Sequence, residues 1–181
     1  MSERSQNKRT RDIAYIALLA SLTLALGYIE STIPLPVTIP GVKLGLANIT
    51  VLVALCLLGP RWALSIMLLK VLMVSVISGS PSMVFYSLSG SMLAYGSMLI
   101  GWRVARLNVT TISIIAAILH NLGQISIAAL IMQTPLVFLN FPVMVVAACI
   151  TGSVTGMVAA GVLKALSENS QRHGTTKSNA V

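Results

Sequence analysis

The sequence predicts an all-α integral membrane protein: a bundle of about six transmembrane helices with both termini in the cytoplasm. Three observations predict it. The chain is 56% hydrophobic and only 9% charged, where soluble domains carry roughly 25% charged residues. Its mean hydropathy is +0.90, so lipid rather than water is the solvent that suits it. Its prolines fall between apolar runs, and most of its basic residues gather in alternate gaps.

A helix needs roughly 20 apolar residues to cross the hydrocarbon layer. The first run covers about residues 12–33. It is too long for the core of a cleavable signal peptide, and Glu30 and a proline-rich stretch follow it in place of a small-residue cleavage site. The second run, about 44–59, is short. The others cover about 62–79, 83–102, 109–133 and 139–166. Pro34, Pro36, Pro40, Pro60, Pro81, Pro135 and Pro142 lie in gaps or at helix starts, where a fixed φ and a missing N–H are tolerated. The chain thus divides into an N-terminal tail (1–11), a six-helix domain (12–166) and a polar, Ser/Asn/Thr-rich tail (167–181). The composition of both tails predicts disorder.

The charges orient the bundle. Arg4, Lys8, Arg9 and Arg11 precede the first run, Arg61 separates the second and third, Arg103 and Arg106 separate the fourth and fifth, and Lys164, Arg172 and Lys177 close the chain. With six crossings these positions share one side, which the positive-inside rule makes the cytoplasm. Trp62 and Trp102 sit at that same boundary, as interfacial tryptophans do. The expected location is the inner (plasma) membrane, multi-pass. The net charge of +8 is therefore a topology signal and not a nucleic-acid footprint. Cys56 and Cys149 both lie inside apolar runs with no CxxC or Cys/His cluster, which indicates neither a disulfide framework nor a metal site. No cofactor is expected.

Small residues mark close helix contacts. The sixth run carries Ala148, Gly152, Gly156 and Ala160 at every fourth position, and the first carries Ala17, Ser21 and Ala25. Such stripes let backbones approach, either within the bundle or against a partner membrane protein. The fourth run, with Ser87, Ser89, Gly90, Ser91, Gly96 and Ser97, reads as a close-packed interior helix whose hydroxyls bond to its own carbonyls.

Polar groups in hydrocarbon are costly and need compensation. His120 and Gln124 are four apart and share a helix face, with Asn121 beside them. At about 1.5 Å per residue, His120 falls near the midplane. These three form either a ligand-binding cluster or a set of interhelical hydrogen bonds. Lys70 also falls near the midplane, with no carboxylate close in sequence. A buried cation there loses its proton or finds an anion, a carbonyl or water. Asn48 opens the second run after Gly41 and Gly45, which permit tight turns. The preceding loop, Glu30 to Lys43, is stiffened by three prolines. It serves either as a lid over an outward-facing pocket or as a plain connector in which Glu30 and Lys43 pair.

Gly41 to Ile49 (GVKLGLANI) and His120 to Gln124 (HNLGQ) resemble the bacterial "Gx transporter" family, also labelled heptaprenyl diphosphate synthase component I. The resemblance covers about residues 10–166. That family is in turn similar to the substrate-binding S components of energy-coupling factor transporters. The resemblance implies six helices, solute capture from outside under a first-loop lid, and docking of a T subunit on small residues of the first helix, here Ala17, Ser21 and Ala25. The prenyl-synthase label fits these residues poorly as a catalyst. Prenyl transfer uses paired aspartate-rich motifs to hold magnesium against pyrophosphate, and the chain has one aspartate, Asp12.

The expected function is a membrane-embedded binding or transport subunit for a small organic solute. Asn48, Lys70, His120, Asn121 and Gln124 would bind it, and Gly152 and Gly156, with the first-helix stripe, would dock a partner. The alternative is a non-catalytic accessory subunit in isoprenoid, quinone or flavin redox metabolism, with a redox partner in place of a T subunit. No nucleotide-binding Gly-rich Lys-Ser/Thr motif, carboxylate dyad or nucleophile–base pair is present, so no catalytic residue is assigned and any ATP drive comes from another chain.

Overall fold

The computed structural model describes residues 3–32, 45–79 and 81–178. Its helices are α1 (Glu3–Thr32), α2 (Asn48–Leu58), α3 (Pro60–Ser78), α4 (Ser82–Arg103), α5 (Val109–Met132) and α6 (Phe141–Ser178), with a short 3-10 segment, Pro135–Asn140, before α6. Among the described residues there is no strand.

Local chemistry sets the boundaries. Gly59 alone joins α2 to α3 at φ 89°, ψ 177°, a conformation that needs glycine, and Pro60 then opens α3. The Asn108 side chain accepts from the Thr111 N–H at 2.7 Å and so caps α5. Gln133 ends that helix in the left-handed region at φ 50°.

The second expected run, about 44–59, forms a shorter helix than the others. α2 has 11 residues, about 16 Å of helix, or roughly half the hydrocarbon thickness. Five helices are long and apolar enough to cross a membrane, with α2 a shorter apolar helix among them. The chain does not enter α2 as helix: Gly45 sits at φ 81° and residues 46–47 form a turn. α2 is apolar all round, buries Val51, Leu52, Val53, Ala54 and Leu55, and touches α1, α3, α4, α5 and α6. It is a central pillar, as a helix with no polar face must be. Around it α1 lies against α3, α3 against α4, α4 against α5, and α5 against α6. Among the described residues α1 and α6 make no contact, so this wall is open between them.

The tails also differ from expectation. α1 begins at Glu3 and α6 continues to Ser178. Neither polar end contains proline, and extending an existing helix costs far less than nucleating one.

Glycines permit the tightest crossings. A Cβ on Gly123 would lie 2.7 Å from the Ser89 carbonyl oxygen and 2.8 Å from Gly90 Cα, so α4 and α5 meet backbone to backbone, as the Ser/Gly-rich fourth run predicts. Ser89 Oγ donates to the Gly123 carbonyl at 2.9 Å across the same crossing. On the other side of α5, a Cβ on Gly152 would lie 2.7 Å from Ile114 Cα, and one on Gly156 would lie 2.7 Å from Thr110 Cα. Gly152 and Gly156 are therefore corrected from partner docking to packing within the chain. The close approach they allow is already taken by α5. Ser113 and Thr155 hydroxyls meet there at 2.9 Å.

A buried polar site where the central helix begins

Three helices bring polar side chains to one depth. Measured from the bundle end that carries Arg61, Arg103 and Arg106, Asn48 lies about 15 Å along α2, Lys70 about 15 Å along α3 and His120 about 16 Å along α5. Asn48, Lys70, His120 and Gln124 are all buried, with at most 7% of their surface exposed. Lys70 Nζ donates to Asn48 Oδ1 at 2.6 Å. The amine that had no carboxylate close in sequence therefore meets a carboxamide from the neighbouring helix.

Gly45 stitches this group together. A Cβ there would lie 2.9 Å from Asn48 Nδ2 and 3.3 Å from His120 Cδ2, so the turn before α2 fits against both side chains only as glycine. Its N–H donates to Glu30 Oε1, and the Asn48 N–H donates to the Gly45 carbonyl at 2.9 Å. Irregular backbone at membrane depth survives only where protein satisfies it or a wet cavity receives it. Here a carboxyl on α1 satisfies the turn. On the far side of His120 lies Gly90, where a Cβ would meet His120 Cε1 and Gln124 Cγ at 2.9 Å each.

Asn121 points elsewhere. Its Nδ2 donates to the Met144 carbonyl on α6 at 3.0 Å, whereas His120 and Gln124 lie against α4. The structure thus gathers four of the five expected binding residues and places the fifth on the adjoining face of α5. Among the described residues, Asn48 Nδ2, Asn121 Oδ1 and Ser91 Oγ are buried with no hydrogen-bond partner. In a low-dielectric interior each such atom costs about 1–3 kcal/mol, and a group of them marks a place for something polar.

Glu30 was missed as a member of the site. It reads as an interfacial residue at the outer end of the first run, yet it is only 5% exposed. The available signal was the scarcity of acids, four in the whole chain, with one of them ending a span just before a glycine-bearing turn. Its expected pairing with Lys43, and the lid role of the loop to Lys43, fall on residues 33–44, outside the described residues. Ser91 and Gly90 carry no sequence signal that separates them from the other small residues of α4. Ala17, Ser21 and Ala25 are exposed on α1. A separate groove of about 300 Å³ lies at the opening of the wall, lined by Leu22 and Leu26 of α1, Ile49 and Val53 of α2, and Val158 and Val162 of α6.

Apolar helices of membrane-crossing length around a buried polar centre define a helical protein compatible with a multi-pass membrane fold. The chain belongs to the heptaprenyl diphosphate synthase component I family, whose model matches residues 19–162. That description names one component of a synthase. Comparison with curated proteins finds no match, and neither does comparison with solved structures.

Proposed function

We propose that this chain is the membrane-embedded solute-binding subunit of a larger system, holding a small water-soluble organic molecule where α2 begins. The carrying observation is the convergence of Asn48, Lys70 and His120 at one depth, with Gln124 about one turn further along α5 and with buried amide atoms on Asn48 and Asn121 left unpartnered. A core built only for stability would pair such atoms or dispense with them. The half-length α2 supports the same reading. Discontinuous helices at the bilayer midplane place backbone ends and polar side chains where solutes bind in many transporters. The resemblance to S components of energy-coupling factor transporters points the same way. In this reading both termini are cytoplasmic, the protein sits in the plasma membrane, and the exposed Ala17, Ser21 and Ala25 stripe of α1 docks a T-subunit-like partner.

The test is ligand-dependent stabilisation of the purified protein against a library of water-soluble metabolites. A ligand should raise the melting temperature, and Gln124→Ala or Asn121→Ala should abolish the shift. If no soluble compound stabilises the protein, the reading fails.

The open groove between α1 and α6 favours a second reading. Its walls are wholly apolar, which suits an isoprenoid or acyl chain entering from the lipid. The family description names a synthase component, so here the chain acts as a non-catalytic accessory subunit beside a prenyl synthase's second component or a redox partner. This reading predicts co-purification with that partner, and effects of the amide residues on stability alone.

A further inference from the structure

We propose that a groove between α4 and α5, at the arginine-bearing end of the bundle, holds one acyl chain of an anionic glycerophospholipid whose phosphate is gripped by Arg103 and Arg106. The inference is independent of what the polar centre binds.

The groove has a volume of about 410 Å³ and lies on the outside of the bundle, where Met92, Leu93 and Ile100 are exposed. Its walls run from Met92 to Gly101 on α4 and include Ile115 and Leu119 on α5, with Ala105 and Leu107 of the connecting loop at its end. The side chains are almost wholly hydrocarbon. The one hydroxyl among them, on Ser97, donates to the Ala94 carbonyl at 2.7 Å and asks for no ligand. A polar solute gains nothing there, whereas a hydrocarbon chain gains contact along both helices. Met92 to Gly101 rises about 14 Å along α4, roughly half the hydrocarbon thickness and so the depth of one leaflet. Gly96 keeps the space open: a Cβ there would meet nothing within 4 Å.

The end of the groove carries charge of one sign. Lining positions on α4 recur at 92–93, 96–97 and 100–101, and the next step of that helical stripe falls at 103–104. Arg103 therefore continues the face of the groove. Arg106 lies between Ala105 and Leu107, the two loop residues that line the end. Both arginines are exposed. The chain has no acid between Glu30 and Glu168, so α4, the loop and α5 offer neither arginine a carboxylate.

Local structure does not account for the pair. Arg103 complements the dipole at the end of α4, but Arg106 lies past that end, at φ 48°, a backbone shape that suits glycine. The loop is closed by main chain alone. The Val104 and Ala105 N–H groups donate to the Ile100 carbonyl at 2.9 and 3.1 Å, and the Leu107 N–H donates to the Gly101 carbonyl at 3.0 Å. Guanidinium forks match phosphate oxygens, and basic pockets beside membrane helices take anionic headgroups. The adjacent Trp102 is of the kind that sits at headgroup level.

The experiment titrates the full-length protein in detergent with phosphatidylglycerol or phosphatidylcholine of identical chains, counting bound lipid by native mass spectrometry. Phosphatidylglycerol should bind more tightly on the order of tenfold, as two membrane-facing cations predict. Arg103→Gln with Arg106→Gln should bring it down to the phosphatidylcholine level without changing the melting temperature of the lipid-free protein. Arg61→Gln, at the same end of the bundle but off the groove, should keep the preference. Gly96→Leu, which fills the groove, should weaken phosphatidylglycerol binding, and glycerol phosphate, the headgroup without chains, should not compete. Equal binding of the two lipids, a preference that survives the double arginine variant, or an equal loss in Arg61→Gln would overturn the inference. Undiminished binding to Gly96→Leu, or full competition by glycerol phosphate, would overturn it as well.

Discussion

Replacing Gly123 with alanine tests the architecture at its tightest point. The new Cβ would stand 2.7 Å from the Ser89 carbonyl oxygen, where ordinary contact begins at 3.4 Å. The obstacle is backbone, so α4 and α5 must part by about 0.7 Å, since no side chain can swing aside. Overpacking of this kind costs about 1–3 kcal/mol. The same separation lengthens the 2.9 Å bond from Ser89 Oγ to the Gly123 carbonyl beyond hydrogen-bonding range, a further loss of about 1 kcal/mol. The expected destabilisation is thus about 2–4 kcal/mol. Gly96→Ala and Gly161→Ala are the controls, because a Cβ at either meets nothing within 4 Å. They make the same chemical change in a helix and should be neutral or slightly stabilising, given alanine's better helix propensity. Thermal unfolding in detergent, followed by circular dichroism, measures all three. Gly123→Ala melting within error of the parent, or Gly96→Ala falling equally far, would refute the backbone contact.

The remaining predictions concern the site and the topology. A double-mutant cycle of Asn48→Ala and Lys70→Met should give a coupling free energy of about 1.5–3 kcal/mol, the worth of a hydrogen bond to a charged group; additive melting shifts would show the contact is not made. Glu30→Ala should destabilise by about 1–2 kcal/mol more than Glu30→Gln, because only glutamine keeps an acceptor for the Gly45 N–H, and equal melts for the two variants would count against that bond. In a cysteine-free background, Gln133→Cys should react with an impermeant maleimide added outside intact cells, and Leu107→Cys only after permeabilisation. The two positions lie at opposite ends of α5, and the reverse pattern would invert the proposed orientation.

The long helices were largely legible in the sequence because lipid imposes a length and proteins mark their ends. The fifth run was expected over 109–133 and α5 spans Val109–Met132, since Asn108 caps one end and Gln133 turns out of the other. α2 was not legible. Its apolar run reads as a short crossing, and the turn ahead of it is held by the positive φ of Gly45, the Asn48 N–H on the Gly45 carbonyl and a tertiary bond to Glu30, none of which the run itself displays. The site residues His120, Gln124, Asn48 and Lys70 stood out because polar groups are rare in such runs, but which of them meet depends on helix rotation. That is why Asn121 could not be told from its neighbours, nor the inward glycine stripe of α6 from an outward one. Glu30 was hidden by its position at the end of a span, where burial and exposure look alike in one dimension.

The helix that supplies Glu30 is also the least anchored. Among the described residues α1 touches only α2 and α3, and its other flank faces the opening toward α6. A helix held along one side adjusts its tilt to the thickness of the surrounding bilayer more freely than one wedged between neighbours. Any such rocking reaches the central pillar through two polar contacts, the Thr23 hydroxyl on the Thr50 hydroxyl and the Glu30 carboxyl on the Gly45 backbone. The lipid environment thereby acquires a mechanical lever on the polar centre.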